Sequence, residues 1–376
     1  MEKIIIIGST IFVSIILVIS TLFVNRFSNN GIIFGVRVPK EYEKDRDIID
    51  LEKKYKKDYL IYILPLIIII NLLVFFISKI WVYLLLTVAL IIVTNIPMII
   101  YWKKTKKLKE EKGWRRLGKN VVLVDTTIRK PKIKEEDVLI KTRTYMFLLV
   151  IPLITVIATL LAYKNVPSPF PIHYNAEGIA DGFVNKEGFK GVFYLVIFPA
   201  LMQIGMILFL ALINRFAING KVDINSGTLE EIKKQRRIFK KVNSMMLFII
   251  TLEIVLMFSF IQFCTIYSWN VKLVNMIALP ILIITIIIFL IIGFKIGQGG
   301  KNIKVNKEQK EIYRDDDKNW ILGSFYYNKN DPSVFVEKRV GIGWEVNLGN
   351  PIGLVFMLVP LVMLIGMIIY FIISGV

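Results

Sequence analysis

IWVYLLLTVALIIVTNIPMII, residues Ile80–Ile100, runs for twenty-one residues without a charge. As a helix it is about 30 Å long, the thickness of a bilayer's hydrocarbon core. The same reading applies to Ile4–Val24, Tyr59–Ile77, Tyr145–Tyr163, Gly191–Ile213, Met245–Tyr267, Val271–Phe294 and Pro351–Ile373. A soluble chain of 376 residues could not hide eight such runs. The spacing therefore predicts an all-α integral membrane bundle of about eight transmembrane helices. Ser78-Lys79 and Ser268–Asn270 are short enough to make antiparallel hairpins of their flanking helices. The first run is too long for a signal peptide, and no small-residue cleavage pattern follows it, so it is expected to be retained.

Loop charges give the orientation. Segments 25–58, 101–144, 214–244 and 294–351 carry 9, 15, 8 and 10 Lys or Arg, which is 42 of the 48 in the chain. The remaining six are spread over the N-terminus and the alternate loops. The positive-inside rule then puts four long basic loops in the cytoplasm, and both termini and loop 164–190 outside. A multi-pass protein of a bacterial plasma membrane is expected, its basic helix ends facing an anionic inner leaflet. The formal charge of +19 needs no nucleic acid, since no DNA- or RNA-binding fold surrounds it. Lys103–Arg116 reads as a solvated or lipid-facing juxtamembrane segment. Cys264 lies in an apolar run, so neither a disulfide framework nor a cysteine metal site is expected.

Divided on this basis, the chain comprises a first transmembrane helix (1–24), a basic loop with an amphipathic helix (25–58) and a transmembrane hairpin (59–100). A second basic loop (101–144) is followed by a transmembrane pair (145–213) enclosing outer loop 164–190. An amphipathic cytoplasmic helix (214–244), a second transmembrane hairpin (245–294), a cytoplasmic β-rich domain (295–350) and a last transmembrane helix (351–376) complete it. In 46–58, Ile48, Leu51, Tyr55 and Tyr59 recur at helical spacing. In 228–243, Thr228 and Glu231 form a capping box ahead of Leu229, Ile232, Phe239 and Val242. Both segments read either as helices lying on the inner leaflet or as plain extensions of the next span. Trp320–Tyr327, Val334–Val336 and Trp344–Leu348 are β-prone and separated by Asn328–Pro332 and Gly341–Gly343, which predicts a small antiparallel β-subdomain. Asn120–Asp125 is a candidate fourth strand. Trp320, Phe325, Tyr326, Asp331 and Trp344 are its candidate core and contact residues, and Gly297–Gly300 reads as a flexible exit from a span.

The only histidine stands in Pro171-Ile172-His173-Tyr174-Asn175-Ala176-Glu177-Gly178-Ile179-Ala180-Asp181-Gly182-Phe183-Val184-Asn185-Lys186. Glu177-Gly178 and Asp181-Gly182 are turn signals, and Pro167, Pro169 and Pro171 stiffen the approach. Phe170, Tyr174 and Phe183 suit the aromatic belt of a membrane interface. Three readings stay open: a hydrogen-bonded cap with His173 and Asp181 joined, a metal site of His173, Glu177 and Asp181, and a pH sensor on His173. Binding or shaping roles fall to His173, Tyr174, Asn175, Gly178, Asp181, Gly182 and Lys186.

No nucleophile can pair with a second histidine, and no phosphate loop or His-Glu-x-x-His pair occurs, so the chain reads as non-enzymatic and without cofactor. Inside the spans Asn71, Asn95, Gln203 and Glu253 are polar. Glu253 is about 12 Å into its span and should face the bundle interior, either marking a functional position or holding helices together.

Pro171–Lys186, as Pro-x-His-Tyr-Asn-x-x-Gly-x-x-Asp-Gly-Phe-x-x-Lys, resembles the signature of an uncharacterised bacterial membrane domain. That domain also occurs in the immunity protein of the sporulation-delaying toxin system. Phe34-Gly35-Val36-Arg37-Val38-Pro39 resembles a Gly-x-Arg-x-Pro element of cytoplasmic loops in the same wider group, which makes Arg37 a candidate. Trp320–Gly349, with its Trp-x-x-Gly-x-Phe-Tyr-x-Asn start, is similar to a second domain of unknown function that often accompanies the first. The resemblance implies a polytopic bacterial membrane protein, and in one branch toxin immunity coupled to signalling through a sequestered repressor. Here the Trp320–Gly349 domain and the long basic loops are extra, and the Gly-x-Arg-x-Pro element precedes the second span. The expected function is binding or sensing of an extracellular factor, of the peptide-toxin, immunity or signalling type, with relay to a cytoplasmic regulator. The alternative is a permease or transporter subunit with Glu253 and Asn95 along a polar path.

Overall fold

Asp45 caps a helix by accepting the Asp47 N–H at 2.9 Å, and from there Arg46–Asp58 (α3) buries Ile48 and Tyr55 as its periodicity predicts. The helix passes through a π turn, Tyr59–Ile63, directly into Leu64–Phe76 (α4). The amphipathic stretch and the second span are thus one rod, Arg46–Phe76. The chain is seen in a computed structural model that describes residues 2–29, 31–77, 79–114, 140–175, 178–221, 229–303, 315–341 and 343–374. Asn120–Asp125 and Thr228 lie outside the described residues.

The remaining helices are α1 (Glu2–Leu22), α2 (Val24–Phe27), α5 (Ile80–Glu111), α6 (Val150–Ala162), α7 (Gly188–Val192), α8 (Phe198–Asn219), α9 (Leu229–Tyr267), α10 (Leu279–Ile296) and α11 (Pro351–Ser374). Among the described residues, seven helices are long and apolar enough to cross a membrane, and Ile7–Leu22 of α1 is a shorter apolar helix. Lipid-type exposure fits this: large apolar side chains such as Ile91, Leu153, Leu201, Ile284 and Val362 stand on the surface.

Four antiparallel strand pairs complete the described fold: β1 (Ile32–Ile33) with β2 (Val36–Arg37), β3 (Phe170–Tyr174) with β4 (Ala180–Val184), β5 (Trp320–Ile321) with β6 (Phe325–Tyr326), and β7 (Phe335–Glu337) with β8 (Trp344–Val346). The expected β-subdomain is therefore two hairpins, linked by a parallel bridge from Tyr326 to Asn347. The β1–β2 hairpin was not anticipated, because strands of two residues leave no alternation to read.

The chain divides into two compact units. One comprises Pro131–Asn219 and Arg237–Lys295; the other comprises Lys3–Lys130, Gly220–Arg236 and Ile296–Val376. In the first unit the core lies along the 3-10 segment Thr142–Leu149, α8 and α9, around Tyr145, Leu148, Ile207, Ala211 and Val255. In the second, Phe34, Tyr55, Tyr59, Tyr101 and Trp114 gather into an aromatic core.

Two expectations change in the second unit. The Lys103–Arg116 cluster is not uniformly solvated, since α5 stays helical to Glu111 and Lys109 is buried against Asp315 (3.0 Å) and Asp317 (2.6 Å). Gly297–Gly300 is not an open exit either. Gln298 is buried and locked to Gly343, giving its amide N–H to the carbonyl (2.7 Å) and accepting the backbone N–H (2.8 Å).

Candidate functional site

In the first unit, β3 and β4 form a hairpin with register Phe170↔Val184, Pro171↔Phe183, His173↔Gly182 and Tyr174↔Ala180, irregular on both sides of His173. Phe170 packs into a cluster with Val166, Leu195 and Ile266, and Val184 borders it. Tyr174 lies against Cys264, Val271 and Val274, and its hydroxyl is 3.2 Å from Thr265 Oγ1. While these side chains are anchored, Ile172 (42% exposed), Ile179 (57%) and Phe183 (55%) stay exposed. Between them His173 Nδ1 meets Asp181 Oδ1 at 2.5 Å, with both side chains in solvent. An exposed pair of this kind adds little to stability. Its exposure on an otherwise anchored hairpin is the more informative property.

The other residues of the motif build the hairpin. Asn175 Oδ1 accepts the Ile179 N–H at 2.9 Å, closing the turn as asparagine side chains do. Gly178 has φ +73°, the left-handed conformation expected of it. Gly182 serves spacing, not turning: a Cβ there would sit 3.0 Å from His173 Cβ. Lys186 Nζ donates to the carbonyls of Lys164 (3.1 Å) and Val166 (2.8 Å), clipping the loop's two ends together. Phe170 is buried and leaves Phe183 as the surface-facing aromatic ring of the three expected at an interface. Glu177, the third member of the metal option, lies outside the described residues.

Below the hairpin, buried polar side chains tie three helices together. Thr155 Oγ1 on α6 meets Ser259 Oγ on α9 at 3.0 Å, and Ser259 donates to Gln203 Oε1 on α8 at 2.9 Å. Gln262 donates to Thr159 Oγ1 (2.8 Å) and the Leu195 carbonyl (3.0 Å). The sequence singles out Gln203 alone of this set, because hydroxyls in apolar runs give no sign of partners 56 or 104 positions away. Glu253 is hydrogen-bonded by Thr285 at 2.6 Å, while its Oε2 is buried without a partner. Asn95, in the second unit, is exposed and donates to the Ile91 carbonyl of its own helix at 2.8 Å.

The second unit holds a six-membered charge cluster. Arg37 Nε reaches Asp316 at 2.8 Å, and the Arg37 N–H donates to Asp317 at 3.0 Å. Arg339, buried, pairs with Asp316, with Asp317 (2.6 Å) and with the Gly35 carbonyl (2.9 Å), and lies 5.1 Å from the Trp320 ring centre. Lys109 completes three cations against three carboxylates. Arg37 was legible as a candidate; Arg339, Lys109 and Asp315–Asp317 were not, though an Asp triplet inside a basic loop was a usable signal.

The tips of β1–β2 and β5–β6 touch beside this cluster. Phe34 (φ +47°) with Gly35 (φ +77°), and Leu322 (φ +51°) with Gly323 (φ +77°), make two turns of the same type. A Cβ on Gly35 would lie 2.4 Å from the Gly323 carbonyl oxygen. Nearby, Asp331 accepts Lys221 Nζ (2.7 Å) and the Tyr326 hydroxyl (2.8 Å). Burial opposes its charge, but the bonds from Lys221 and the Ser333 N–H outweigh that and hold its pKa below the ordinary value. Burial likewise works against Lys221, and Asp331 leaves its pKa raised. Asn347 donates to the carbonyls of Asn328, Asp331 and Ser333, fixing the Asp331 turn. Trp320 and Tyr326 are buried face to edge at 5.1 Å, Trp344 covers Gly220, and Phe325 points outward.

Seven spanning-length helices, an anchored hairpin and a small strand module define a multi-pass membrane protein. Two sequence families match parts of it: a domain of unknown function, DUF1648, over residues 150–202, and a family of unknown function, DUF5808, over residues 329–354. The first covers α6, both strands of the His173 hairpin and the start of α8; the second covers the Asp331 turn, β7, β8 and the first turn of α11. No curated protein and no solved structure matches the chain.

Proposed function

We propose that this chain is a non-enzymatic receptor of a bacterial plasma membrane. Its His173 hairpin faces outside, with both termini, and recognises an extracellular peptide of the toxin, immunity or signalling type. The strand module around Arg37, Trp320 and Asp331 faces the cytoplasm and serves a regulator there. The observation carrying this reading is the anchored hairpin with an exposed apolar set: Phe170, Tyr174 and Val184 fasten it, while Ile172, Ile179 and Phe183 stay exposed near the exposed His173–Asp181 pair. Apolar side chains around a hydrogen-bonded polar pair suit an amphipathic peptide better than a small ion.

Two measurements test it. With Cys264 replaced by alanine, a single cysteine at Ala176 should react with a membrane-impermeant maleimide in intact cells; reaction only after lysis would invert the orientation. Sensitive cells expressing the protein should then survive a peptide-containing culture supernatant, and survival should be lost with Phe183→Ser or Asp181→Ala at unchanged membrane abundance. Undiminished survival in both variants would remove the hairpin from recognition.

A permease is the second reading, favoured by the unpartnered Glu253 Oε2 beside Thr285. Altered solute uptake in Glu253→Gln, with normal uptake in Phe183→Ser, would select it.

A further inference from the structure

Among the described residues of 315–350, the exposed large apolar side chains are Ile321 (48%), Phe325 (43%) and Tyr327 (40%). They share one face. Ile321 and Phe325 are directly paired across β5–β6, and Tyr327, two residues beyond Phe325, continues the strand with its N–H on the Asn319 carbonyl at 2.9 Å. The opposite face carries Trp320 and Tyr326, both buried. This hairpin is therefore apolar on both sides. A strand pair surrounded by water on its free face would alternate apolar with polar.

Its height along the helices explains the exception. Ser324 Oγ contacts Met98 Sδ at 3.6 Å, and Met98 stands two residues, about 3 Å of helix rise, inside the apolar run ending at Ile100. A Cβ on Gly323 would lie 2.6 Å from Trp102 Cδ1, and Lys106 Nζ stands 5.5 Å from the Trp102 ring centre. A tryptophan followed by a lysine at a span's end marks the headgroup level. The neighbouring hairpin also reaches the level of a span. Phe335 of β7 packs on Phe356 at 5.5 Å between ring centres, and Phe356 is five residues, about 7.5 Å, into α11.

We propose that the Ile321–Phe325–Tyr327 face is a lipid anchor seated at the boundary between headgroups and acyl chains. The occupant is the bilayer, because the side of α5 that the hairpin touches at Met98 and Trp102 goes on to expose Ile91, two turns deeper in the apolar run, so the hairpin tip continues a lipid-facing strip. Apolar side chains topped by a tyrosine hydroxyl match that boundary. The assignment depends on the spans and not on which side of the membrane the hairpin occupies.

Depth measurement tests it. The Cys264→Ala protein, with a nitroxide on a single cysteine replacing Phe325, Tyr327 or Lys329 in turn, is placed in phosphatidylethanolamine–phosphatidylglycerol vesicles. Dissolved oxygen should relax the labels at 325 and 327 more than a water-soluble nickel chelate does, and the order should reverse at 329. Predominant nickel relaxation at all three positions would overturn the anchor. So would shielding of 325 and 327 from both reagents, which means a protein partner, or dipolar broadening, which means a second copy. The unsubstituted chain supplies an independent reading. Phosphatidylglycerol carrying a diazirine high on its acyl chain should label Ile321, Phe325 or Tyr327, and labelling confined to α5 and α11 would count against the proposal.

Discussion

Replacing Arg339 with methionine keeps the aliphatic stem over Trp320 and removes the guanidinium. Three interactions go: with Asp316, with Asp317 at 2.6 Å and with the Gly35 carbonyl at 2.9 Å. Breaking a buried ion pair costs about 3 to 5 kcal/mol when the partner is left alone. Neither carboxylate is left alone here. Asp316 keeps Arg37 at 2.8 Å, Asp317 keeps Lys109 at 2.6 Å, and both side chains retain some exposure, 19% and 17%. The expected loss is therefore about 2 to 3 kcal/mol in the opening of the strand module, below the full buried-pair figure. Native-state cleavage follows the open population when closing is fast, so thermolysin cutting within 315–341 should accelerate about 30- to 150-fold. Arg339→Met combined with Asp316→Asn restores charge balance and should recover part of that change. An acceleration below about threefold in the single variant, or strict additivity in the double, would refute the account of a mutually dependent charge cluster.

Gly35→Ala should open the same module by more than the ~1 kcal/mol of a left-handed alanine, because its Cβ meets the Gly323 carbonyl at 2.4 Å. Gly113→Ala, at φ +69° with nothing within 4 Å, supplies the backbone cost alone, and equal cleavage rates in the two variants would dismiss the tip contact. Asp331→Asn should lower the module's stability evenly from about pH 5 to 9, and the deficit should vanish as wild-type Asp331 protonates below about pH 4. The lowered native pKa makes the unfolded state bind the proton first, so stability from this group is present above the ordinary carboxylate value and fades only in acid. Lys221, with its pKa raised, loses its share at the alkaline end, above about pH 10. Thr155→Val should cost about 0.6 kcal/mol of unfolding free energy in micelles, the size of a single hydrogen bond between membrane helices; a loss above 2 would make the Thr155–Ser259–Gln203 chain a cooperative unit.

Long, uncharged runs state their environment outright, which is why Ile80–Ile100 and its counterparts could be read as spans, and why Ile48, Tyr55 and Tyr59 could be placed on one buried face. The His173 motif was equally readable as a turn-rich loop, since Gly178 and Asn175 have local jobs that local sequence specifies. What escaped was long-range. Arg339 and Gly35 are partners across 304 positions, and Lys109 and Asp317 across 208. No periodicity joins such pairs, so Lys109 looked like one more solvated cation. Gly299 and Gly300 looked like slack in the chain, yet they sit tightly against Glu337 and Gln235, which only the folded packing reveals.

The meeting of the two hairpin tips also fixes a timetable. Residues 32–37 leave the ribosome first, but the Leu322–Gly323 tip and Arg339 that complete their surroundings follow some 300 residues later, the Arg339–Gly35 bond spanning 304 positions. At about 5 to 20 residues per second, that interval is roughly 15 to 60 s. Throughout it, nearly the whole set of spans must be inserted while the β1–β2 turn lacks its counterpart. Chains stalled before residue 315 therefore carry the β1–β2 turn without the tip and the arginine that complete its surroundings.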